Sequence, residues 1–139
     1  MKIKKPPRDN NVTALYELEN DELSVGRNFA TIEEARNFVN FVTSSLTWRV
    51  NSARPKCIQV YSNGDHNYSE AKEPNEIWLA NSQLTAQVVL HELAHFVSPM
   101  IKGHGPKFVR NYLTLIAHFM GVAYADIYRD AFTRSRIKF

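Results

Sequence analysis

The sequence has only one cysteine, Cys57, among 139 residues, so no disulfide can form within the chain. Glycine and proline are also scarce, at 5 and 6 residues, which excludes collagen-like and proline-rich low-complexity chains. No uncharged stretch exceeds 15 residues, which is too short for the roughly 20 apolar residues of a membrane span. The basic start MKIKKPPRDN is followed by mixed polar sequence rather than an apolar run, so we expect no signal peptide and a cytoplasmic protein.

The composition is that of a folded domain, with 44% hydrophobic and 22% charged residues. A chain of this length buries enough surface to fold without a disulfide scaffold. Residues 1–11 carry charges and prolines without hydrophobic periodicity, and we expect a flexible N-terminal arm there. Residues 12–139 are predicted to form a single domain.

Hydrophobic spacing and turn residues predict an α+β fold: a helix, a small and mainly antiparallel sheet, and then C-terminal helices. Thr31 and Glu34 form a capping box that starts the first helix. Asn63-Gly64-Asp65 is a turn signal and predicts a hairpin. The predicted strands are Val12–Leu18, Lys56–Ser62, His66–Ser69 and Glu76–Ala80. The predicted helices are Ile32–Leu46, Thr85–Val97, Pro106–Met120 and Ala123–Arg134.

The stretch HELAH, from His91 to His95, lies in the second of these predicted helices, Thr85–Val97. Two histidines four residues apart share one face of a helix, so both imidazoles can reach the same Zn²⁺. The intervening Glu92 then lies beside the ion without ligating it, where its carboxylate can take a proton from metal-bound water. The pattern therefore predicts a zinc site with His91 and His95 as ligands and Glu92 as the catalytic base.

A catalytic zinc takes a third protein ligand and keeps one position open. Glu92 is the last glutamate in the chain, so no downstream glutamate can complete the site. His104 is the best candidate, because it lies between two glycines that let the backbone approach the metal and just before a predicted helix start. His118 and Asp126 are the alternatives.

These two stretches resemble a known family. HELAH followed by HGPKF, from His104 to Phe108, resembles the HExxH plus HGxxF pair of SprT-like zinc metallopeptidases. The chain is more similar still to small zinc metallohydrolases of actinobacteria and their phages, whose pattern runs V-LHELAH, a short loop and HGP-F. The resemblance implies a minimal zincin fold, zinc on His91, His95 and His104, and Glu92 as general acid/base.

Such a site predicts a hydrolase, most simply a metallopeptidase that acts on a peptide or protein. By analogy with zincins, we expect an extended peptide to pair with the edge of the strand Glu76–Ala80, which precedes the metal helix. Tyr112, Tyr124 and Tyr128 are candidates for stabilising the oxyanion, although tyrosines at helical spacing more often lie in the core. Trp48 and Trp78 are most simply expected in the core; the alternative for Trp78, on the predicted edge strand, is to line a substrate groove.

Charge is unevenly distributed, since residues 93–139 hold 7 Lys/Arg against 2 Asp/Glu. The alternative function is therefore a binding protein on a zincin scaffold, with structural zinc or lost activity and a nucleic-acid or protein partner. The positive charges are scattered and lack a binding motif, so we expect at most weak nucleic-acid binding. The presence of Glu92 favours the hydrolase, because a structural site needs the histidines but not this carboxylate.

Overall fold

The computed structural model describes Leu15, Leu18, Glu19 and residues 28–51, 54–97 and 103–139. These residues have an α+β fold with five helices and one three-stranded mixed sheet. Residues 28–97 belong to one compact unit, and residues 103–139 belong to a second unit together with the three described residues of the N-terminal part. In the described ranges no helix is both long and apolar enough to cross a bilayer. The predicted arm, residues 1–11, lies outside the described residues. The single domain over residues 12–139 stays a prediction.

The first unit begins with helix α1, Ile32–Thr43, which starts at the predicted capping box. The Oγ1 atom of Thr31 accepts a hydrogen bond from the backbone N–H of Glu34 at 3.2 Å. The Glu34 carboxylate in turn accepts one from the N–H of Ala30 at 2.7 Å. The two side chains satisfy backbone donors that the first helical turn leaves without partners.

Helix α1 ends three residues earlier than the predicted end at Leu46, because Ser45 starts a new helix. The Ser45 hydroxyl donates to the carbonyl of Val42 at 2.7 Å and accepts from the N–H of Trp48 at 3.2 Å. Helix α2 then spans Leu46–Arg49. It buries Trp48 completely, as predicted, and the Trp48 indole donates to the carbonyl of Pro55 at 2.8 Å.

The sheet consists of β1 (Gln59–Ser62), β2 (Glu70–Lys72) and β3 (Glu76–Leu79) in the order β1-β3-β2. β3 is the central strand, parallel to β1 and antiparallel to β2. α1 packs on β1, while the metal-motif helix α3, Ala86–Val97, packs on β2 and β3. The prediction that β3 offers an edge to a peptide is therefore wrong, since both of its edges are already paired.

The predicted hairpin between Lys56–Ser62 and His66–Ser69 is also wrong. The turn after β1 forms, with Gly64 at φ +60°, but His66–Ser69 has no strand backbone. The N–H of Asn63 donates instead to the carbonyl of Leu79 in β3 at 2.7 Å. The hairpin is the one between β2 and β3, and the sheet is mixed rather than mainly antiparallel.

The two faces of the sheet differ, as the period of two along a strand requires. One face is buried through Val60, Ile77 and Leu79. On the other face Tyr61 stacks on Trp78 with ring centroids 4.8 Å apart, and the Lys72 ammonium lies 4.6 Å from the centroid of the Trp78 ring. Trp78 is thus half-buried on the outer face, which corrects the prediction that it lies in the core.

The second unit contains α4, Pro106–Phe119, and α5, Val122–Arg134. Pro106 occupies the first helical turn of α4, where a missing N–H costs nothing. Gly121, at φ +112°, turns the chain from α4 into α5. Both helices are confirmed within about a residue of the predicted bounds, because proline and glycine mark their ends locally. Tyr112, Tyr128 and Phe132 pack their rings together between the two helices.

The predicted strand Val12–Leu18 lies mostly outside the described residues. Leu15 and Leu18, which are described, have helical backbone, as does Glu19. Both leucines are buried and three residues apart, which is the spacing of one helix face rather than one strand face. The strand prediction is therefore wrong at these two positions.

Candidate metal centre

Helix α3 carries the HELAH motif and is confirmed over the predicted range, apart from its first residue. Thr85 caps it: the Oγ1 atom accepts a hydrogen bond from the N–H of Val88 at 3.1 Å. The rings of His91 and His95 lie one helical turn apart, edge to face, with centroids 5.5 Å apart. His91 is buried and His95 is half-buried. The helix thus places two imidazoles side by side, as the spacing predicts.

His104 lies in the irregular segment that leads into α4. Gly103 before it has φ +142°, a conformation that favours glycine over residues with a Cβ. Gly105 after it occupies the N-cap position of α4. His104 is only 6% exposed, so this histidine is buried although its backbone belongs to no helix or strand.

The three histidines come together. One candidate ligand nitrogen from each of His91, His95 and His104 lies within 4.8 Å of the others, so the three can hold a metal ion. Nitrogens that share a tetrahedral Zn²⁺ at 2.0 to 2.1 Å lie about 3.3 Å apart. Small rotations about the side-chain torsions can close the difference between 4.8 Å and this nitrogen–nitrogen distance. Three imidazoles are also a donor set found in proteins that bind zinc.

Glu92 lies beside this cluster. Its Oε2 atom is 4.0 Å from Nε2 of His91, and its side chain is 8% exposed. A buried carboxylate is costly unless a positive charge or hydrogen-bond donors compensate it. A cation held by the histidines would provide such compensation.

The alternatives for the third ligand lie elsewhere. His118 is exposed near the end of α4. Asp126 is exposed on α5, where its carboxylate accepts a hydrogen bond from Arg129 at 3.3 Å. Among the described residues the only group of three or more potential ligands is the one that contains His104.

The three tyrosines proposed for the oxyanion differ in environment. Tyr112 is completely buried, and its hydroxyl donates to Oε2 of Glu19 at 2.7 Å. Tyr128 is also completely buried, and burial, together with the charges of Glu19 and Tyr124, raises its pKa well above the ordinary value. Tyr124 is half-buried. The hydroxyl of Tyr112 is thus already engaged by a carboxylate.

Two residues that connect to His104 directly or through other side chains were given no role from the sequence. Phe108 was named from the sequence only as the last residue of the HGPKF stretch, and its ring packs against His104 with centroids 4.7 Å apart. The signal was present, because the HGPKF stretch contains both residues, four positions apart. Glu19 carried no such signal, since it is 93 residues from the tyrosine that it binds.

Comparison with protein-family models, curated proteins and solved structures finds no match to this chain.

Proposed function

We propose that this protein is a zinc-dependent hydrolase of the zincin type and that its substrate is a peptide bond. One observation carries the proposal: the ligand nitrogens of three histidines lie within 4.8 Å of one another, beside the buried carboxylate of Glu92. A structural metal site needs only the ligands. A hydrolytic site also needs a base, such as a carboxylate that lies beside the ligands but does not bind the ion.

His91, His95 and His104 would hold the ion. Imidazole nitrogen suits Zn²⁺, and three protein ligands leave a fourth position open, as in catalytic zinc sites. When bound, Zn²⁺ supplies Lewis-acid chemistry: it lowers the pKa of water and polarises a carbonyl.

Glu92 would act as the general base and then the general acid. Its carboxylate takes a proton from the attacking water and returns it to the leaving amine. The side chain follows His91 directly in α3, so a helix rather than a loop fixes its position. Burial keeps bulk water from competing for the carboxylate oxygens.

The sheet edges favour β2 as the strand that would pair with an extended substrate. The N–H groups of Gln59 and Asn63 in and after β1 point to β3, so the carbonyl of Val60 faces the opposite edge. That carbonyl already accepts a hydrogen bond from Nη2 of Arg36 at 2.9 Å, so this acceptor on the free edge of β1 is engaged. β2 is the other edge strand and lies against α3, so a peptide added there would run beside the metal helix.

A helix that bears the metal ligands and packs on a small sheet is also what a minimal zincin requires. The motif pair HELAH and HGPKF supports the same assignment from the sequence side. Both stretches contribute to the histidine cluster.

The test is a cleavage assay on a broad peptide library with the purified chain in three states: zinc-loaded, stripped with a chelator, and reloaded. We expect cleavage by the first and third samples and none by the second. A zinc-loaded chain that leaves every peptide intact would overturn the peptidase proposal. Cleavage that persists after complete metal removal would overturn the metal-dependent mechanism.

A further inference from the structure

His104 is held differently from the other two histidines of the cluster. His91 and His95 lie within α3, whose backbone sets the direction of both side chains. His104 lies outside any helix and follows Gly103, which restrains the backbone least. The orientation of its imidazole therefore depends on what packs against the ring.

Phe108 packs against that ring. The centroids are 4.7 Å apart and the two planes are inclined at 80°, which is the favourable edge-to-face arrangement of aromatic rings. Phe108 lies in the first turn of α4 and is 3% exposed. Its ring therefore restricts rotation of the imidazole from a position that is itself fixed.

Phe108 is in turn held by the next ring along α4. Tyr112 lies one helical turn further on, with its centroid 5.8 Å from that of Phe108. The Tyr112 hydroxyl donates to the Glu19 carboxylate at 2.7 Å, a charge-assisted hydrogen bond of the stronger kind. Phe132 packs on the same tyrosine, with centroids 6.3 Å apart.

We propose that Phe108 is a positioning residue that orients the His104 imidazole for metal binding, and that the hydrogen bond between Tyr112 and Glu19 holds Phe108 in place. This inference rests on the metal site of the proposed function. Groups that orient metal ligands typically change metal affinity by 10- to 100-fold when they are removed.

The experiment measures the Kd for Zn²⁺ by competition with a chromophoric chelator, the visible spectrum of the Co²⁺-loaded protein, and Tm without metal. Phe108→Leu should raise Kd at least about tenfold and change the Co²⁺ spectrum. Phe132→Leu is the matched control, because it removes the same ring from α5, where the ring packs against Tyr112, Tyr128 and Phe139. It should lower Tm comparably and leave Kd within about twofold.

Tyr112→Phe is the second variant, since it keeps every ring and removes only the hydroxyl. It should raise Kd about threefold, with the Co²⁺ spectrum shifted in the same sense as for Phe108→Leu. An unchanged Kd in Tyr112→Phe would overturn the role of the Glu19 hydrogen bond. Equal changes in Kd for Phe108→Leu and Phe132→Leu would show that the stack acts only through stability, which overturns the inference.

The wild-type protein separates this inference from the proposed function. Tight Zn²⁺ binding without hydrolysis of any peptide would overturn the hydrolase and leave the role of Phe108 standing. If the wild type hydrolyses peptides but Phe108→Leu leaves the Kd for Zn²⁺ unchanged, the hydrolase stands and the role of Phe108 is overturned. A wild-type chain that binds no Zn²⁺ would overturn both.

Discussion

The Oε2 atom of Glu92 lies 4.0 Å from Nε2 of His91, although the two residues are neighbours in the same helix. Adjacent residues of a helix point about 100° apart, so the carboxylate approaches the imidazole from the side. This places Glu92 next to the ligand cluster without making it a member, since the group of converging ligand atoms comprises only His91, His95 and His104 among the described residues. The candidate ligands and the candidate base are therefore separate side chains.

Replacing His104 with alanine should sharply reduce zinc binding, because three protein ligands become two. His118→Ala is the matched control, since it removes an exposed histidine from the neighbouring helix α4 and should leave the zinc content unchanged. The measurement is zinc per chain by elemental analysis after dialysis. Full zinc content in the His104 variant would move the third ligand to His118 or Asp126.

Glu92→Gln should retain zinc and lose hydrolysis. Glutamine preserves the size and polarity of the side chain but cannot accept the proton from water, and general-base catalysis contributes roughly 10²- to 10⁴-fold. The rate of peptide cleavage and the zinc content are measured in parallel, with the exposed Glu73→Gln as control. A near-normal rate at full zinc occupancy would contradict the proposed mechanism. Loss of zinc would instead make Glu92 a ligand or a group that supports the ligands, and would favour the binding protein on a zincin scaffold.

The basic C-terminal part should bind nucleic acid only weakly. Two of its arginines are paired with its two aspartates, Arg129 with Asp126 and Arg134 with Asp130. The remaining positive charges can contact phosphates but read no sequence. Fluorescence anisotropy with labelled duplexes should show affinity that falls steeply between low and physiological salt. Sequence-specific binding that survives physiological salt would favour the nucleic-acid-binding alternative.

The two tryptophans should differ in their effect on stability. Trp48→Ala should lower the free energy of unfolding by about 3 to 5 kcal/mol, because the side chain is completely buried and donates to the Pro55 carbonyl. Trp78→Ala should cost about 1 kcal/mol, since this ring lies half-exposed on the outer sheet face. Chemical denaturation of both variants gives the comparison. Equal losses would mean that Trp78 is as deeply packed as Trp48.

The stability of the fold should decline in alkaline solution through Tyr128. Its pKa in the folded state lies above the unfolded value of 10.0, because burial disfavours the phenolate. The folded state therefore keeps the proton that the unfolded state releases. The contribution of Tyr128 to the free energy of unfolding is fully present below pH 10. Above pH 10 it decreases by up to about 1.4 kcal/mol per pH unit.

Urea denaturation at pH 9 and pH 11 measures whether the free energy of unfolding decreases as the pH rises. Tyr128→Phe should reduce the loss of stability between the two pH values, whereas Tyr61→Phe, on the exposed face of the sheet, should not. An identical pH dependence in wild type and Tyr128→Phe would contradict the assignment.

Local patterns in the sequence determined the start of α1, the helices α3, α4 and α5, and two of the clustered histidines. The bounds of α3, α4 and α5 follow from Thr85, Pro106 and Gly121, whose effects act over a few residues. The four-residue spacing places His91 and His95 on one face of α3 for the same reason. These inferences need no knowledge of distant contacts.

The tertiary structure decided which residues from distant parts of the chain contact one another. It placed β3 between β1 and β2, which the turn after β1 could not reveal, because strand order depends on non-local hydrogen bonds. It brought His104, rather than His118 or Asp126, to the pair on α3. It also joined Glu19 to Tyr112 across 93 residues. Sequence spacing fixes neighbours within an element, but only packing of the whole chain selects the partners of elements far apart in sequence.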